Sequence, residues 1–506
     1  MTNSNKQIKL GALLSYFAIA FNIVSGLIYT PWMVRQIGQS DYGLYTLVTS
    51  LITYFTLDFG FGSSISKFVA QYRAEKRENE IGSLLGLIYK FYFVLDILIF
   101  IVLVIVFCFI QNVFISLTAE ELEKCRVIFV IFGAFTLISF PCTTFNGILI
   151  AYEKFIALKV CDLLSKLLTV FLMVIFLFMG YRLYALVIIN TGVQLFINVI
   201  KYIIVRKNVR QKIDFKYFSM RLLKTIFSFS IWVTVISVAE RFIMNITPSI
   251  LGITSGSTDI SIFAVGRTIE GYVYTFASAL SSLFIPMLSK MVAENASREK
   301  IMDLMIRVGR IILMIVGVIV TVFISMGREF VILWMGAIFD SAYSVAVFLI
   351  LTSIITFSLN IGAVLIMVEN KVKYTAICYS ITAVINIGLS FALSWRYGAL
   401  GAAISICIAT IAGHIIGMNW VYQNKMGLNM KRFYVDCHFR AIPIFILVAI
   451  SGFTIQYFWK ADNLLVFGIK AAIIGFEYLI LMWFLYMNRS EKDLILQPIR
   501  KILKRG

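Results

Sequence analysis

Glu240 and Arg241 stand side by side inside one long apolar run, and Arg267 and Glu270 stand three residues apart inside the next. A charged side chain at the centre of a membrane helix costs roughly 2.5 to 3.5 kcal/mol, so each needs a partner or a wet recess. Arg267 and Glu270 share a helix face, whereas Glu240 and Arg241 diverge by about 100°. Two readings follow. In one, Arg241 or Arg267 lines a cavity and receives an anionic group, while Glu240 or Glu270 holds a coupling ion. In the other, the four charges are neutralised pairs that hold helices together. Asp58, in the run Leu57 to Gly62 (LDFGFG), is a third carboxylate for a proton or Na⁺, or else the partner of Lys67. Asp162 and Lys166, four apart, are expected to neutralise each other. Lys90 with Asp96, and Lys470 with Glu477, are weaker cases, and His414 reads as a packed polar residue.

Nothing in the chain reads as catalytic. There is no H-E-x-x-H and no phosphate-cradling glycine loop, and the sequence holds only two histidines. The seven cysteines are scattered singly, so no metal site is expected, and Cys108 and Cys125 read as buried thiols rather than a disulfide. No cofactor is implied beyond H⁺ or Na⁺ as a coupling ion, since no ATPase segment is present.

The elements that must position these residues are membrane helices. Fourteen apolar stretches fall at 10–34, 42–70, 84–110, 127–151, 158–180, 183–205, 225–251, 260–288, 304–326, 343–368, 375–395, 399–422, 439–458 and 464–487. About 20 apolar residues cross a ~30 Å hydrocarbon core as a helix, and these runs lack the alternation of barrel strands. Hydrophobic residues make up 60% of the chain and charged residues only 14%, against about 25% in soluble domains. The fold expected is an all-α polytopic membrane protein with 14 transmembrane helices.

The net charge of +19 does not point to nucleic acid, because the charges are sorted by side. About 33 of the 45 Lys and Arg fall in one set of alternating loops, and about seven in the other. By the positive-inside rule the first set is cytoplasmic, and with an even span count both termini are cytoplasmic as well. The first apolar run has no small-residue cleavage site, so no cleavable signal is expected. Outer loops reach only about 16 residues, as at 111–126. That leaves little room for the extramembrane domain of a glycosyltransferase or polymerase, and argues against an enzyme.

An internal repeat divides the chain. Thr30-Pro31 followed by Gly38 to Tyr45 (GQSDYGLY) is matched about 217 residues later by Thr247-Pro248 and Gly256 to Phe263 (GSTDISIF). The offset is six helices, which is even, so the halves share one orientation. Together with the basic break at 206–224 this gives residues 1–222 as helices 1–6 and 223–424 as helices 7–12. Residues 425–506 then hold helices 13–14 and the tail.

The chain resembles a known family in Pro31 to Tyr45 (PWMVRQIGQSDYGLY) and Leu57 to Lys67 (LDFGFGSSISK). Phe145 to Phe155 (FNGILIAYEKF), Phe263 to Arg267 (FAVGR) and Ile285 to Ser289 (IPMLS) extend the match in order and spacing. The family is the bacterial O-antigen and capsule repeat-unit flippases of the multidrug/oligosaccharidyl-lipid/polysaccharide exporter superfamily. The resemblance implies two six-helix lobes around a central cavity, with two peripheral helices, working by alternating access in the inner membrane. It implies an undecaprenyl-pyrophosphate-linked oligosaccharide as substrate and a polysaccharide polymerase as partner. Arg241 and Arg267 suit the substrate's pyrophosphate, although Glu240 and Glu270 beside them depart from a strongly cationic lining. The alternatives are a drug or cation exporter of the same superfamily, a peptidoglycan-precursor flippase, and a membrane-embedded glycosyltransferase or polymerase.

Overall fold

A computed structural model of the chain describes residues 3–56, 61–77, 79–209, 213–489, 491–493 and 496, with side chains outside 3–16 and 225–230. The described residues form α-helices with short 3₁₀ and π turns, and no strand is present among them. Ten helices are long and apolar enough to cross a membrane, and two bent pairs bring the number to twelve.

Two features separate twelve from the expected fourteen. The first is the 53-residue helical stretch Val372–Asn424. At 1.5 Å per residue it would run ~80 Å, more than twice the hydrocarbon thickness. Gly398 interrupts it with φ 53° and ψ −134°, between the two spans expected at 375–395 and 399–422. Any other residue there would be strained at this φ, and its Cβ, 2.6 Å from an Asp259 carboxylate oxygen, would have to push that carboxylate aside. The same carboxylate accepts the Ala399 N–H at 3.1 Å and so opens the second helix. The second feature is Met220–Thr254, a 35-residue helix over the seventh expected span.

The repeat is written in the backbone. Among the described residues, ten have positive φ, and eight of them form four pairs at offsets of 217 to 219. The pairs are Gly38 with Gly256, Lys76 with Asn295, Glu153 with Asn370, and Gly180 with Gly398. Each pair marks the same turn in the two halves. The bends repeat as well. Ala119–Ser139 meets Pro141–Ala151 at 47°, and Ala342–Ser358 meets Asn360–Val368 at 48°. Pro141 explains the first, since it has no N–H and its ring clashes with the preceding turn. The second has no proline, and there the Ser358 hydroxyl donates to the Ile355 carbonyl within the turn before the break.

By contacts the chain forms two compact units, residues 1–264 with 379–402, and residues 265–378 with 403–506. In the first unit Phe61–Ala74 packs closely on Thr144–Ala151. Gly147 makes that possible, since a Cβ there would lie 2.5 Å from the Gly62 carbonyl. In the second, Leu464–Leu481 lies on Arg298–Met335. Gly317 admits the buried Tyr478 ring, whose hydroxyl donates to the Leu313 carbonyl at 2.7 Å.

Candidate functional site: charged side chains within the helices

Arg267 and Glu270 lie on the helix Ser257–Ser282, in the second unit. Their three-residue spacing brings the guanidinium 2.7 Å from the carboxylate. Glu270 is 5% exposed, and its other oxygen accepts the Ser353 hydroxyl at 2.9 Å from the neighbouring helix Ala342–Ser358. A buried carboxylate is tolerable only with such partners. Gly266 allows the approach, because a Cβ would lie 2.6 Å from Val345. The Arg267 side chain, by contrast, keeps 28% of its surface open. It therefore neutralises Glu270 while part of its own side chain stays exposed.

Glu240 and Arg241 behave differently in the first unit. Their helix packs through Ala239 and Ile243 onto Ala383. One residue round the helix, Glu240 is exposed together with Met244, and Arg241 is half-buried. Among the described residues neither forms an ion pair or a side-chain hydrogen bond. The readings left open in the sequence thus divide: Arg267 with Glu270 is a formed pair, and Arg241 with Glu240 is not. Asp58 lies outside the described residues.

Several pairings expected from local spacing are replaced by longer-range ones. Asp162 does not pair with Lys166; it sits between Lys159 at 3.7 Å and Lys201 at 3.8 Å. Lys166 instead donates to the Asn22 amide oxygen on the first helix. Lys470 does not meet Glu477; fully buried, it pairs with Glu329 at 2.6 Å, while Glu477 accepts the Ser451 hydroxyl at 2.6 Å. Lys90 donates to the Tyr217 carbonyl at 3.2 Å. Cys108 and Cys125 are both free, the first exposed and the second buried.

Sequence reasoning missed the most deeply buried ion pair. Arg310 and Glu491, 4% and 2% exposed, meet at 2.6 Å in the second unit. Arg310 also donates to the Asp436 carbonyl at 2.8 Å and to the Tyr486 carbonyl, and lies over the Tyr486 ring. The available signal was an arginine six residues inside the expected span 304–326. No cluster of three or more His, Cys, Asp or Glu able to hold a metal occurs among the described residues.

Solved structures define the class. The lipid II flippase MurJ, in an inward closed conformation, aligns over 96% of this chain and 99% of its own, with TM-score 0.66 and 16% identity. An inward-facing multidrug resistance MATE family transporter of the MOP superfamily aligns over 81% of this chain and 97% of its own, with TM-score 0.64 and 15% identity. A MOP superfamily transporter from Pyrococcus furiosus, described as having a binding pocket of reverse polarity, aligns over 82% and 94%, with TM-score 0.55 and 15% identity. The chain thus has the all-helical fold of the MOP-superfamily transporters and flippases. Its sequence matches the polysaccharide biosynthesis protein family over residues 11–292, more than half its length, and the chain belongs to that family. No curated protein matches the sequence significantly.

Proposed function

We propose that this protein moves oligosaccharide repeat units, carried on undecaprenyl pyrophosphate, across the bacterial cytoplasmic membrane by alternating access. The observation that carries the reading is the family match over residues 11–292, in a chain whose fold aligns along nearly its whole length with a lipid II flippase. Physical chemistry supports it. Sugars and a pyrophosphate cannot cross hydrocarbon unaided, because each unsatisfied polar group costs several kcal/mol. A transporter lowers that barrier with a polar path while the lipid tail stays in the bilayer. Arg267 and Arg241 are the residues we assign to the pyrophosphate, since a guanidinium presents a fork that matches phosphate oxygens. Coupling to H⁺ or Na⁺ would draw on Asp58, Glu240 or Glu270. Repeat units of O-antigen or capsule are the substrate class, with a polysaccharide polymerase consuming the product and both termini in the cytoplasm.

A drug exporter of the same superfamily is the second reading, because multidrug transporters share the fold. Coverage weighs against it. The multidrug neighbour leaves about a fifth of this chain unmatched and the lipid flippase only 4%. The difference is about the size of the segment holding helices 13 and 14.

The test is complementation of glycan display by Arg267 variants at equal expression. Arg267→Ala is expected to lose most display, Arg267→Lys to keep most, and Arg267→Glu to lose all. If Arg267 served only to neutralise Glu270, Arg267→Ala with Glu270→Ala would restore display. A fully active double variant would retire Arg267 as a substrate contact.

A further inference from the structure

A recess of about 330 Å³ opens in the second unit where three stretches of chain meet. They are the first turns of Arg298–Met335, the segment 432–440 and residues 488–491. All three belong to the basic loops that the positive-inside rule assigns to the cytoplasm. The recess thus stands at the inner edge of the expected spans 304–326, 439–458 and 464–487.

Its lining carries four arginines and three carboxylates. The charges of Arg310 and Glu491 cancel in their buried pair. Arg432 meets Asp303 at 2.7 Å and Asp436 at 3.7 Å, and Arg440 meets Asp436 at 3.1 Å. Every lining carboxylate is therefore taken, and one arginine is left over. Arg307 is exposed, and among the described residues it forms no ion pair or hydrogen bond. It cannot be dismissed as a stray surface charge, because Asp303, Arg307 and Arg310 are four and three apart and share the face that lines the recess. The tail 494–506 carries Arg500, Lys501, Lys504 and Arg505 and no acidic side chain to balance the surplus.

We propose that this recess binds a phosphate group, that of an acidic phospholipid headgroup in the cytoplasmic leaflet. A guanidinium fork matches two phosphate oxygens, and Arg307, Arg432 and Arg440 offer three such forks at one opening. A water takes about 30 Å³, so the space holds a phosphate with its waters. The surplus of one positive charge sets the valence. A phosphodiester carries one negative charge and closes the balance, whereas a dianion would leave repulsion from Asp303 and Asp436. The same two carboxylates can accept hydrogen bonds from the hydroxyls of a glycerol headgroup. The adjoining surface fits acyl chains. Two residues after Arg440 the helix Ile442–Phe458 begins, and Ile442, Ile446, Ile450, Phe453 and Tyr457 lie three or four apart along it, all exposed. They form one apolar stripe, and a lipid lying on it has its headgroup beside Arg440. Basic pockets between membrane helices on the cytoplasmic side take anionic headgroups in this way.

The site does not depend on the flippase reading, and its test needs no transported substrate. The purified full chain in neutral detergent is melted with added phosphatidylglycerol, with the same amount of phosphatidylcholine, and with inorganic phosphate against chloride at equal ionic strength. Phosphatidylglycerol is expected to raise the melting temperature above that in phosphatidylcholine. Arg307→Gln should remove most of that difference. Lys207→Gln, which removes an exposed charge from another expected inner loop, should keep it. A rise with inorganic phosphate as large as the lipid's, and lost in Arg307→Gln, supports the phosphate site and assigns it to soluble phosphate. No response to either probe, a wild-type response in Arg307→Gln, or an equal loss in Lys207→Gln overturns the proposal. Should Arg307→Gln not fold, Arg440→Gln carries the test by the same criteria.

Discussion

At the residue scale, what was legible was what one helix can show. Arg267 and Glu270 three residues apart had to share a face, and they do, at 2.7 Å. What was not legible was the partner on another helix. Ser353 completes Glu270, Lys201 takes Asp162 from Lys166, and Glu329 takes Lys470 from Glu477. Spacing rules rank neighbours four apart at a few tenths of a kcal/mol, and in an apolar span any better-placed partner outweighs that. Arg310 is the strongest case, because its partner lies 181 residues on, beyond the last span. Removing one member of a buried pair leaves an uncompensated charge and costs about 3 to 5 kcal/mol. Glu491→Gln is therefore expected to lower the melting temperature of the purified protein markedly, while Arg310→Met with Glu491→Leu recovers most of the loss. A Glu491→Gln protein as stable as the wild type would show the pair to be dispensable.

At the element scale, apolar length located the helices and could not locate their bends. Pro141 announces one break, but the matching break at Leu359 has no proline and no signal in the composition. The turns were more legible, since Gly38 and Gly256 stand at corresponding places in the repeated motif and both adopt positive φ. Gly398 is the most demanding of these positions, with φ 53° and an Asp259 oxygen where a Cβ would sit. Ala there meets both backbone strain and a displaced Asp259, which no longer holds the Ala399 N–H. Gly398→Ala is expected to destabilise by more than about 1 kcal/mol. Gly38→Ala, with the same sign of φ but open space around it, should cost less. Equal melting temperatures for the two variants would contradict the steric part of this account.

At the scale of the whole molecule, the sorted charges gave an orientation that the helices alone do not report. It is checked by single cysteines at two exposed positions, Ala119→Cys in an expected outer loop and Lys207→Cys in an expected inner one. A membrane-impermeant maleimide should reach position 119 from outside intact cells and not position 207, above the background of the parent protein. The opposite pattern would invert the topology. The fold class and the family were readable because span number, motif order and a repeat of about 218 residues act over the entire chain. The substrate was not, because only a few side chains in hundreds recognise it.

The central claim is that this protein carries a lipid-linked oligosaccharide across a bilayer. It is tested most directly by reconstituting the purified chain into liposomes whose leaflets contain undecaprenyl-pyrophosphate oligosaccharide. Access of a glycosidase or lectin to the sugar from one side is then followed over time. The account predicts that sugar trapped on the far leaflet becomes accessible many times faster than in protein-free vesicles, and that Arg267→Ala removes most of the gain. Vesicles with the wild-type protein that match empty ones, under an imposed H⁺ or Na⁺ gradient as well as without one, would contradict it.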